Sequence, residues 1–190
     1  MSKFSMLVYD AEIAKPIPPR DRSQRLDGLD YCDGWGDHRG MGIAVIAVYD
    51  FMTDNFGIYL REGLKDFEEL CAMRDRLLGF NSFTFDNKLL AAHGVELPPE
   101  KCLDLYAASR RVGVTASLDK LARANGLLGK GGSGADAPIL WQRGHHSKVI
   151  NYCINDTYLT KELARKALAG ELISPVTGQI YYPEIDAHKE

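Results

Sequence analysis

Any fold that buries the run Met6-Leu7-Val8-Tyr9-Asp10-Ala11-Glu12-Ile13 must also accommodate two carboxylates. The run reads as a buried strand. Residues two apart on a strand project from the same face, so Asp10 and Glu12 share one. Two acids beside a stretch as apolar as Met6 to Tyr9 are costly unless they meet cations or take up protons. The alternative is a strand that stops at Tyr9 and leaves both acids in water. This segment alone does not decide between the two.

The rest of the chain predicts a mixed α/β architecture. Gly42–Tyr49 and Phe56–Leu60 read as a second and third strand separated by a turn at Thr53-Asp54-Asn55. Phe67, Leu70, Cys71 and Leu77 give Leu64–Leu77 a helical period. Short strands follow at Leu77–Phe80 and Cys102–Leu105, with helices over Phe83–His93, Tyr106–Val112, Ser117–Asn125 and Lys148–Ala169. The order β-β-β-α-β-α-β-α-α predicts a mixed sheet with flanking helices, its first three strands forming an antiparallel meander. Lys15–Gly40 is polar, rich in Pro, Gly, Asp and Arg, and too long for an ordinary connection. Ser174–Gly178 is a turn signal in the tail, where a small hairpin is expected. The chain is read as one domain over residues 1–170 followed by a tail over 171–190, in keeping with its 190 residues.

Two further acids stand where core residues are expected. Val149, Cys153, Thr160, Leu163, Ala164 and Ala167 form one stripe at helical spacing, and Asp156 falls on it. Tyr152 lies one turn earlier on the same face. A stripe rotated so that Asp156 sits at its margin is the alternative. In Asn81-Ser82-Phe83-Thr84-Phe85-Asp86 a strand leads into a helix, and Asp86 shares a face with Leu89 and Leu90. An acid in a first helical turn also complements the helix dipole, so a purely structural cap is the competing explanation.

Taken together, the acids form an ordered pattern: Asp-x-Glu on the first strand, Asn-x-x-x-Phe-Asp in the middle, Tyr-x-x-x-Asp on a late helix. The pattern resembles the DEDD superfamily of 3′-to-5′ exonucleases, in the subgroup with tyrosine in the third motif. The middle motif looks most like the proofreading domain of family-B DNA polymerases and their small stand-alone bacterial and phage relatives. The resemblance runs from about Phe4 to Leu168. It implies a ribonuclease H-like fold and two-metal hydrolysis of single-stranded DNA or RNA from the 3′ end, with Mg²⁺ or Mn²⁺ as the ions. It implies that Asp10 bridges both ions, that Glu12 and Asp156 hold the nucleophile-side ion, and that Asp86 binds the other directly or through water. Tyr152 would orient the attacking water; a phenol of ordinary pKa about 10 is suited to positioning rather than proton abstraction. Asn81 and Phe85 would line the cleft at the terminal nucleotide.

The bulk properties are compatible with that reading. A net charge of −3 argues against a large basic nucleic-acid surface. The four acids account for −4 of it and leave the remainder at +1, and bound divalent cations would supply the local positive field. Lys15, Arg20, Arg22 and Arg25 concentrate in the long loop, where they either grip a phosphate backbone or are simply solvated. Cys32, Cys71, Cys102 and Cys153 lack metal-site spacing and are expected to be reduced, mostly buried thiols. No segment approaches a membrane span, and the N-terminus runs straight into a strand without a signal peptide, so a cytoplasmic protein is expected.

Other features carry less. Gly129-Lys130-Gly131-Gly132-Ser133-Gly134 matches G-x-G-x-x-G but follows a helix rather than a strand, and Pro138 is expected to interrupt any helix after it. A loop beside the third motif is the better reading, with Lys130 either touching a phosphate or solvated. His145-His146 has no partner ligands at metal spacing and is expected to be exposed. Asp104 is expected to be structural. The competing functional readings are a binding module on the same fold and a structure-selective endonuclease. The sequence leaves oligomeric state and replication or repair partners open, and DNA is favoured slightly over RNA on the middle motif.

Overall fold

The computed structural model describes residues 5–129 and 134–185. Five strands form one mixed sheet: β1 (Met6–Ile13), β2 (Ile43–Asp50), β3 (Asn55–Tyr59), β4 (Arg76–Gly79) and β5 (Cys102–Asp104), in the order β3-β2-β1-β4-β5. The helices are α1 (His38–Met41), α2 (Leu64–Ala72), α3 (Asp86–Ala92), α4 (Leu105–Arg111), α5 (Leu118–Ala124), α6 (Ala137–Gln142) and α7 (His146–Ala169). β1, β2 and β3 make the antiparallel meander; β4 and β5 then join β1 in parallel.

Alternation along β1 sorts the core into two layers. Met6 and Val8 pack with Leu78, Leu105, Leu118, Leu159 and Leu163, which places α4, α5 and α7 on one face. Leu7, Tyr9, Ala11 and Ile13 pack with Phe67, Cys71, Leu89 and Leu90, which places α2 and α3 on the other. The even-numbered residues of β1 therefore face α7, and Asp10 and Glu12 continue that series. The β1–β2 register shifts between Glu12 and Ile13, a bulge beside the second acid.

Turn chemistry accounts for the ends of the elements. The β2–β3 turn is built on Asp50, whose carboxylate accepts from Met52 N–H and Thr53 Oγ1 and from the Arg74 guanidinium. At the end of β4, a Cβ on Gly79 would collide with the Ser82 side chain, so glycine is what lets the chain double back there. α7 stops at Gly170, which takes the left-handed conformation at φ 71° that favours glycine.

Two local expectations are corrected. The helix predicted over Leu64–Leu77 ends at Ala72, because Leu77 belongs to β4, where it is fully buried between β1 and β5. Pro138 does not interrupt a helix: it lies in the first turn of α6, where its missing N–H has no intrahelical partner to lose. In the tail, Leu172, Tyr181 and Ile185 are buried in the α7-side core, and a single antiparallel bridge joins Ile173 to Ile180 around the Ser174 turn. Among the described residues no helix is long and apolar enough to cross a membrane.

Candidate metal centre at the carboxyl end of the central strand

α7 is seated on β1 and β2 by small residues and two polar pins. Ala44 and Ala47 of β2 meet Val149 and Cys153 in one buried cluster, and this close approach brings α7 side chains within reach of the sheet backbone. Cys153 Sγ donates to the carbonyl of Asp10 at 3.3 Å, and Thr157 Oγ1 donates to the carbonyl of Ala47 at 3.3 Å. Asp156 lies between these pins on the helix and is 3% exposed. One carboxylate oxygen from each of Asp10, Glu12 and Asp156 lies within 4.8 Å of the other two. The predicted stripe on the last helix thus faces the sheet, and its acid meets both acids of the first strand.

Asp86 arrives from the other side. β4 pairs with β1 only as far as Val8, so beyond that point the edge of β1 needs another acceptor. Asp86 Oδ1 supplies one, accepting from the N–H of Ala11 at 3.2 Å. The next residue, Asn87, accepts a hydrogen bond from the Tyr9 hydroxyl through Oδ1. The first turn of α3 is therefore tied to β1 twice, and Asp86 is buried beside the residue that separates Asp10 from Glu12.

The electrostatics of the centre show in its neighbours. Burial pushes the Cys153 thiol well above its ordinary range, and the fields of Asp10 and Glu12 push it the same way. Burial likewise raises the Tyr9 phenol, and Asp86 adds to the shift. Carboxylates this close repel one another when ionised, and a bound cation would offset that repulsion. Carboxylate oxygens are hard donors, suited to Mg²⁺, Mn²⁺ or Ca²⁺ rather than to softer ions.

The remaining predicted residues fall around this centre. Tyr152, half-buried, borders a cavity of about 550 Å³ with Lys148, Asn155 and Leu128. Asn81 is half-buried just after β4, with its backbone in the left-handed region at φ 61°. Phe85 packs on the α3-side core, its ring 5.9 Å from that of His38. Lys15 leaves the end of β1 with its ammonium 3.9 Å from Asp30, and joins Arg22 and Arg25 around a polar cavity of about 480 Å³. Arg20 is exposed on the loop. Lys130 lies outside the described residues. His145 and His146 are exposed, the latter with its ring 4.2 Å from that of Trp141.

One supporting residue escaped the sequence reading. Gln142 of α6 donates to the carbonyls of Ala14 and Asp30 and accepts from the N–H of Asp30, pinning the long loop beside the end of β1. The signal for α6 was Asp136-Ala137-Pro138, a polar residue and a proline at a helix start. Asp104, expected to be structural, accepts from the N–H groups of Asn81, Phe83, Tyr106 and Ala107. It caps α4 and holds the turn that carries the middle motif. Neither a family model nor a curated protein sequence matches this chain.

Proposed function

We propose that the chain is a metal-dependent 3′-to-5′ exonuclease, ribonuclease H-like in fold and of the tyrosine type of the DEDD superfamily. Its substrate is single-stranded nucleic acid, DNA ahead of RNA, and its products are 5′-monophosphates. The observation that carries the reading is the convergence of Asp10, Glu12 and Asp156 within 4.8 Å, with Asp86 bonded to the backbone between the first two. A meander followed by parallel strands, with helices on both faces, is compatible with the fold.

A cluster of carboxylate oxygens is a donor set suited to hard divalent cations, two of them in this reading. Asp10, Glu12 and Asp156 would hold metal together, and Asp86, from the other side of the strand, would complete the set. When bound, such ions lower the pKa of the attacking water and neutralise charge on the transferring phosphoryl group. The protein's own part is positioning. The two ties of α3 to β1 and the two pins of α7 fix the four carboxylates on rigid elements. Tyr152, one turn before Asp156, would orient the attacking water. The Lys15, Arg22 and Arg25 cluster at the end of β1 would meet the phosphate backbone.

The test uses 5′-labelled single-stranded DNA and RNA of matched sequence, incubated with the protein in Mg²⁺, Mn²⁺ or EDTA, beside an Asp10→Ala variant. The expected result is a metal-dependent ladder shortening from the 3′ end, absent in the variant. Binding without cutting in either metal would overturn the reading in favour of a binding module. Internal cuts would make the chain an endonuclease.

A further inference from the structure

A second feature opens at the same edge of the sheet. A cavity of about 700 Å³ is bordered by Phe80, Asn81, Tyr106, Ser117, Asp119 and Lys120. Its volume is that of an ordinary ligand site. Phe80 and Asn81 follow β4, and Tyr106 follows β5, so the cavity sits beyond the carboxyl ends of those two strands. Phe80 and Leu118 belong to the core layer that includes Met6, Val8 and α7, so the cavity lies on the same face as Asp10, Glu12 and Asp156. The offset from β1 to β5 is two strand spacings, roughly 10 Å. Cavity and carboxylates thus both lie towards the carboxyl ends of the parallel strands, with Asn81 in the cavity lining.

The lining has the chemistry of a base and its phosphate. The Phe80 and Tyr106 rings lie 5.6 Å apart at 51°, and both are half-exposed at the cavity. The Arg110 guanidinium stands over the Tyr106 ring at 5.8 Å. Lys120 is exposed on the rim. Among the described lining residues the acid is Asp119, which is bonded to Arg123 at 2.9 Å, and this offsets its repulsion of an anion. An aromatic face flanked by a lysine is how single strands are held without sequence preference.

We infer that this cavity seats a nucleotide upstream of the scissile bond, with Tyr106 as the stacking platform for its base and Lys120 as the contact to its phosphate. The inference rests on the exonuclease reading. A strand whose scissile phosphate lies on the carboxylates places the terminal nucleotide beside them, and only a residue further along reaches Tyr106. Substrates too short to reach it lose this contact.

The test compares a decanucleotide with the p-nitrophenyl ester of thymidine 5′-monophosphate, which has no upstream residue. Tyr106→Ala is expected to raise KM for the decanucleotide about tenfold, with kcat nearly unchanged and the ester unaffected. Tyr106→Phe is expected to behave like the wild type. Lys120→Ala, an exposed change that spares the fold, is expected to weaken decanucleotide binding and reduce its salt slope by about 0.7. An unchanged KM in both Tyr106→Ala and Lys120→Ala would overturn the inference, as would an equal effect on the ester. A wild type that cuts neither substrate would instead sink the exonuclease reading, and the inference with it.

Discussion

The carboxylate of Asp86 accepts a hydrogen bond from the backbone N–H of Ala11 at 3.2 Å, joining the first residue of α3 to the residue between the two acids of β1. The bond is structural, and in the proposed reading the same side chain would also hold a metal ion. Asp86→Ala leaves the buried Ala11 N–H without its acceptor and should cost about 1–3 kcal/mol. Asp86→Asn keeps an amide oxygen for that bond but loses the charge. The expected outcome is near-wild-type urea stability for Asp86→Asn, reduced stability for Asp86→Ala, and loss of metal-dependent hydrolysis in both. Equal destabilisation of the two would mean that charge, not the hydrogen bond, holds α3.

Asp104 should behave oppositely. It is 4% exposed and accepts from four backbone N–H groups at 2.9–3.1 Å, two in the Asn81 turn and two at the start of α4. Asp104→Ala should cost about 3 kcal/mol, more than an ordinary lost cap. Because the turn carries Asn81, the folded variant should bind substrate less tightly while kcat changes little. Denaturant unfolding with steady-state kinetics reads both; wild-type stability would show that the turn does not depend on this side chain.

Much of this arrangement was legible in the sequence because period carries geometry. Met6 to Ile13 announced a strand with two acids on one face, and Asp156 on an apolar helical stripe announced that a carboxylate would be buried. What periodicity cannot give is the partner across the sheet. That Asp86 would bond Ala11, or that Gln142 would clasp Ala14 and Asp30, depends on where β4 stops and where α6 docks. α6 is hidden in the sequence because proline signals a helix break, whereas position in the first turn reverses that effect for Pro138. Leu77 fitted both a helical stripe and a strand, and sheet burial decided it.

The Arg74–Asp50 pair makes stability depend on pH. The guanidinium is bidentate, with contacts of 2.7 and 2.9 Å, and the two side chains are 13% and 6% exposed. Burial works to raise the Asp50 carboxyl, but bonds from Arg74, Met52 and Thr53 outweigh it and hold the group below the usual carboxylate range. A lowered folded pKa contributes stability above the unfolded value, about 3.9, that is lost as pH falls through the folded value. Arg74→Met leaves a buried, uncompensated charge and should cost about 3–5 kcal/mol near pH 7. The difference from wild type should shrink as pH falls through the folded value, where Asp50 protonates. Urea unfolding across that range tests it; a constant gap would assign the whole effect to packing.

The thiols should be silent in the native state. All four cysteines are free and buried. Burial pushes Cys71 up to about 12 and Cys102 up to about 11, each helped by nearby negative charge. Thiolate is the reactive form, so at about pH 8 a disulfide reagent should label them only as fast as the protein opens. The same shifts stabilise the fold below the ordinary thiol pKa of about 8.5, and that stabilisation is lost as pH rises towards the folded values. Rapid labelling of the folded protein would contradict the burial of these side chains.

The acid cluster makes the sharpest thermal prediction. Asp10, Glu12 and Asp156 approach within 4.8 Å, and Glu12 and Asp156 are 8% and 3% exposed. On the proposed metal reading, their repulsion opposes folding when no cation is bound, and binding of one to the native state alone adds stability. At a hundredfold excess over Kd the gain is about 2.7 kcal/mol, which in a domain of this size raises Tm by roughly 5–10 °C. Mg²⁺ or Mn²⁺ should therefore raise the wild-type Tm above its value in EDTA. Asp156→Asn should raise the Tm in EDTA, by relieving repulsion, and abolish most of the metal response. Scanning calorimetry of both proteins with and without metal separates the cases. A wild type indifferent to both ions, or a variant less stable than wild type in EDTA, would mean that these carboxylates are held by the protein alone.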